Sequence, residues 1–79
     1  MNWIVYNRSK SNMILVLEPS AVAYEIQPGS KVEVEGNFIE TRDGFGEIEV
    51  NPNNVLSLYL EPGATVLENG RPANRAPGW

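Results

Sequence analysis

A chain of 79 residues with no histidine and no cysteine lacks the commonest general base, the thiol nucleophile and the usual zinc and copper ligands. Its net charge of −4 conceals an acidic body: Glu18 to Glu68 holds all ten acidic residues against two basic ones, Lys31 and Arg42, whereas Arg8, Lys10, Arg71 and Arg75 lie outside. An acidic body excludes nucleic acid as the expected partner, because phosphate recognition needs a basic surface.

The apolar residues recur with period two, the spacing of half-buried strands. Trp3 to Tyr6 is the first such run, and Asn7 to Asn12 is a polar loop. Met13 to Leu17 is apolar on both faces, as in a central strand, and Pro19 ends it by removing a backbone donor. Val22 to Ile26 follows, closed by Pro28-Gly29, a pair suited to a type II turn.

Lys31 to Glu35 alternates cleanly, with Val32 and Val34 on one side and Lys31, Glu33 and Glu35 on the other. Gly36-Asn37 predicts a turn into a short strand over Phe38 to Thr41, and Asp43-Gly44 predicts another turn. In Glu47 to Val50 the pattern sends Ile48 and Val50 inward and Glu47 and Glu49 outward. Asn51 to Asn54 reads as a loop. Val55 to Leu60 places Leu56, Leu58 and Leu60 on one face, with Tyr59 on the other. After Pro62-Gly63 a last strand spans Thr65 to Glu68.

These elements predict an all-β domain over residues 1–70, a small β-sandwich or small barrel of about seven or eight short, mainly antiparallel strands. Residues 71–79, rich in Pro and Gly, read as a flexible tail. So small a core, with no cysteine for a staple, leaves self-association or simply a well-packed sheet core as its support. No run approaches the roughly 20 apolar residues of a membrane span. Arg8 and Lys10 follow the first apolar residues, the reverse of a secretory leader, so the expected location is cytoplasmic.

Residues 15–25 (LVLEPSAVAYE) and 58–68 (LYLEPGATVLE) are identical at six of eleven positions. Each copy reads as strand, Glu-Pro corner and second strand, which predicts two similar hairpins, one in each layer. Asn7, the run into Leu17-Glu18-Pro19, Tyr24, Ile26, Pro28-Gly29, Val32 and Val34 together resemble a pattern of short uncharacterised bacterial proteins. That resemblance implies a compact β fold and carries no activity or site residues. The strand-then-Pro-Gly pattern is also similar to a cupredoxin-like sandwich. Without His or Cys, this second likeness concerns fold alone.

Three constellations bear on function. Glu33 and Glu35 with Glu47 and Glu49 would bring four carboxylates together if their strands were neighbours, and a cation or basic partner would then be needed. Otherwise each glutamate is solvated alone, the commoner arrangement. Asp43-Gly44-Phe45-Gly46-Glu47 has too few ligands for a calcium loop and reads as a β-turn. Most of the aromatics suit a core, but Tyr59, opposite the leucine row, and Trp79, at the chain end, are candidates for an interaction surface.

None of the serines or threonines lies in a nucleophile motif, and no phosphate loop is present. No cofactor is expected. The expected function is a non-enzymatic protein-interaction or structural module, self-associating or bound to a protein partner. The alternatives are a β-domain for a small ligand or glycan, and an acidic inhibitor or immunity-type protein.

Overall fold

The computed structural model describes residues Met1 to Trp79 and contains strands and turns but no helix. In chain order the strands are β1 (Asn2–Tyr6), β2 (Met13–Glu18), β3 (Val22–Ile26), β4 (Lys31–Glu35), β5 (Ile48–Asn51), β6 (Val55–Tyr59), β7 (Thr65–Glu68) and β8 (Arg71–Pro72). They form two four-stranded sheets, ordered β1-β4-β7-β8 and β3-β2-β6-β5. All pairs are antiparallel except β2 with β6, so the chain is a mainly antiparallel β-sandwich.

The alternation read in the sequence decides what each sheet buries. In β4, Val32 and Val34 are buried while Lys31, Glu33 and Glu35 face solvent. Register aligns Val34 with Trp3 and Val66, and Val32 with Val5, giving the first sheet an apolar inner face. The second sheet answers with Leu15, Leu17, Tyr24, Ile26, Leu58 and Leu60. Full burial of a side chain such as Leu15 contributes about 2–3 kcal/mol.

Strand β2 is central and apolar on both faces because both are covered. Leu15 and Leu17 enter the main core, while Val16 packs with Ala23 and Ala76 in a smaller cluster behind it. Ala76 comes from the segment expected to be a flexible tail, so that expectation is corrected. Residues 71–76 are docked: β8 pairs with β7, Asn74 O accepts from Glu25 N, and Ala76 N donates to Ala23 O, both at 3.0 Å. The free edge of β3 and the small side chains at 73 and 76 supply the site, a match that local composition does not reveal. Only the last residues lie outside, and Trp79 is exposed.

Two further expectations are corrected. Phe38 to Thr41 is not a strand, since both edges of β4 are taken by β1 and β7. The chain crosses to the other sheet instead, where Phe38 makes a single bridge to Leu60 and Ile39 N donates to Tyr59 O. The two Leu-x-Leu-Glu-Pro copies are not hairpins in opposite layers. Their first strands, β2 and β6, lie side by side, but β3 returns within the same sheet while β7 crosses to the other. The corners differ accordingly. Ala21 carries the positive φ in the first, where Glu18-Pro19 is cis, whereas Gly63 does so one aligned position earlier in the second.

Candidate functional site

The sandwich is closed on one side and open on the other. On the closed side the segment after β8 crosses to β3, and Arg75 bridges to Tyr24. On the open side the sheets end in β1 and β5, each paired along one edge only. Between them lies a groove of about 300 Å³ whose lining is wholly apolar. Its walls are Trp3 and Val5 of β1, Ile48 of β5, Leu56 and Leu58 of β6, and Phe38. Ile4 and Tyr6 complete the rim.

The groove exists because the first sheet stops short of β5. Ile48 pairs with Leu58 and Val50 with Leu56, so both lie on the core-facing side of their sheet, as the alternation requires. Yet Ile48 is 57% and Val50 86% exposed, while Leu58 is 3% exposed. The expected face is right and the expected burial is not, because nothing in the first sheet lies above them. Ile4 at 63% and Phe45 at 69% enlarge the apolar exposure around the same side. Exposed apolar residues gathered around free strand edges mark an interaction surface more often than scattered ones do.

Phe38 sets the inner end of the groove. Its ring meets Trp3 edge to face, with centroids 4.8 Å apart. Gly46 permits this approach: a Cβ there would lie 2.5 Å from the Phe38 ring carbon Cγ. Gly46 falls within the expected β-turn, but its role is this close contact. The turn conformation belongs to Gly44, at φ 83°.

The four glutamates singled out in the sequence do not converge. Glu33 and Glu35 lie on β4 in one sheet, Glu47 precedes β5 and Glu49 lies within it in the other. No group of three or more acidic side chains is placed to hold a metal ion. The outer face of the second sheet does hold a smaller acidic grouping around Tyr59. The register puts Glu18 of β2 beside Tyr59, and Tyr59 N donates to Glu47 O. The Tyr59 hydroxyl donates to Glu49 Oε1 at 2.8 Å. That bond, partial burial and the negative charges of Glu49, Glu47 and Glu18 push its pKa up to about 12.

The aromatic rings in contact are Trp3 and Phe38, both half-buried, rather than an exposed pair of the kind that grips a sugar. Tyr6 on the rim carries the Arg8 guanidinium 4.2 Å above its ring. A hollow of about 450 Å³ wraps the β7–β8 turn, but only one of its six lining residues is apolar. It lacks the apolar walls that usually hold a ligand.

The groove was not legible as a site because each of its residues carries an ordinary core pattern. A second residue without signal is Asn7, which is fully buried. Its Nδ2 donates to Ser11 O and Ile26 O, both at 2.8 Å, and its Oδ1 accepts from Ser9 N at 3.0 Å. Asn54 extends this clamp from the β5–β6 loop, its Nδ2 reaching Ser9 Oγ at 2.7 Å. Comparison with known proteins returns no matching family model, no matching curated protein and no matching solved structure.

Proposed function

We propose that this chain is a non-enzymatic protein-interaction module whose contact surface is the open side of the sandwich. The observation that carries this reading is the apolar groove between two free strand edges, bordered by Ile48 and Val50. Its walls present hydrocarbon and aromatic rings, with no acid, base or nucleophile to act on a substrate. A free edge beside an apolar channel is the arrangement that accepts an added strand, the backbone giving affinity and the channel giving specificity.

Nile red, a neutral apolar dye, tests the surface directly. Its fluorescence should rise on binding, and Val50→Lys with Ile48→Lys should abolish the rise while leaving the unfolding midpoint unchanged, because both side chains are exposed. Dye binding that survives both substitutions in a folded protein would remove the open side as the contact surface.

A further inference from the structure

We propose that the open side takes an extended segment of a basic partner, laid as a strand along β1, with apolar side chains at alternate positions in the groove. This rests on the open side being the contact surface and adds the chemistry of what covers it.

Three observations carry the assignment. β1 pairs with β4 alone, so one row of its N–H and C=O groups has no strand partner, and an extended backbone is what satisfies such a row. A strand laid there continues the first sheet over β5, covering Ile48 and Val50, and its side chains must alternate between groove and solvent. The solvent side is acidic at one end. Glu35 and Glu33 of β4 pair with Asn2 and Ile4 and lie on the outer face of the first sheet. The side-chain cations near β1, Lys31 across from Tyr6 and Arg8 stacked on its ring, lie at the opposite end. Lys or Arg in the added strand therefore belongs beside Asn2 and Ile4, where it meets unpaired negative charge.

A second copy fits less well. Pairing β5 with the same strand of another copy places Glu47 and Glu49 of both on one face, like charge against like. Pairing β1 with β1 sends both overhanging β5 strands into the single gap beneath the seam. A segment that brings only one strand avoids both conflicts.

Short synthetic peptides alternating valine with lysine, serine or glutamate test the occupant, with Trp3 fluorescence read in a Trp79→Phe background. The lysine peptide should bind about tenfold more tightly than the serine peptide and the glutamate peptide not at all. Salt and the exposed double variant E33Q/E35Q should each erase most of the lysine advantage. Equal binding of lysine and serine peptides would overturn the basic partner and leave the open side intact. Failure of every peptide, with Nile red still bound at Ile48 and Val50, would overturn the strand. A dimer in sedimentation that Ile4→Lys dissociates would make the occupant a second copy and also overturn it. Loss of the dye response is the separate outcome that removes the underlying reading.

Discussion

Asn7 ties the loop it opens to the end of β3. Its amide donates to carbonyls of the 7–12 loop and of the end of β3, and its oxygen takes the Ser9 N–H. Removing that amide deletes its bonds to the Ile26 and Ser11 carbonyls and leaves a void at a fully buried position, and an unmade buried hydrogen bond costs more than a made one contributes. Asn7→Ala should therefore lower unfolding free energy by roughly 2–3 kcal/mol, read from urea denaturation. The residue looks like any turn asparagine in sequence. What distinguishes it is a contact 19 residues away, which local pattern does not contain.

Tyr59 makes the matching case for charge. Its position opposite the leucine row is plain from alternation, whereas its bond to Glu49 depends on β5 and β6 being neighbours. Because its pKa is raised, to about 12 from 10.0, the neutral form is favoured in the folded state. That contribution to stability is fully present below the unfolded value of 10.0 and is lost as pH rises through about 12. Ultraviolet titration of the three tyrosines should show one ionising near 12, and Glu49→Gln should bring that step back toward 10. A late step unaffected by Glu49→Gln would mean that the carboxylate is not its cause.

At the scale of elements, period-two alternation read β4 and β5 equally well, yet only β4 is buried as its pattern suggests. Alternation states which face a side chain takes and says nothing about whether the opposite layer extends over it. β4 sits between β1 and β7, whereas β5 is an edge strand beyond the reach of the first sheet. The expected strand at Phe38 to Thr41 failed for a related reason, since β4 had no free edge to offer it. This crossing is instead fixed by packing, with Phe38 wedged between Trp3 and Gly46. Gly46→Ala forces the Phe38 ring to move, at a cost of about 1–3 kcal/mol by overpacking. The same displacement should shift Trp3 fluorescence in the Trp79→Phe background. A variant as stable as the parent, with its emission unchanged, would show that the ring is not held there.

For the whole molecule the asymmetry between its two sides is the organising fact. All-β class, layer count and most strand positions follow from periodicity and turn residues. Which side closes does not, because closure is made by Ala73 and Ala76, small side chains whose fit depends on the shape they enter. Beyond the β7–β8 ladder the segment contributes three backbone hydrogen bonds: Ala73 N to Val66 O, Glu25 N to Asn74 O, and Ala76 N to Ala23 O. At about 1 kcal/mol each, together with the lost cover over Val16 and Ala23, they amount to roughly 3–4 kcal/mol. A domain of this length has about 4–12 kcal/mol in all. Ending the chain after Gly70 should therefore leave it marginal, with a much lower urea midpoint and with β3 and β7 exposed as new edges prone to association. Ending it after Ala76 should change little, because the residues removed include the exposed Trp79 and none of these bonds. If both truncations were equally mild, the segment would be an ornament on a sandwich that closes without it. If only the longer one unfolds the chain, residues 71–76 are part of the fold, and strand addition has already happened once, on the side that this chain closes for itself.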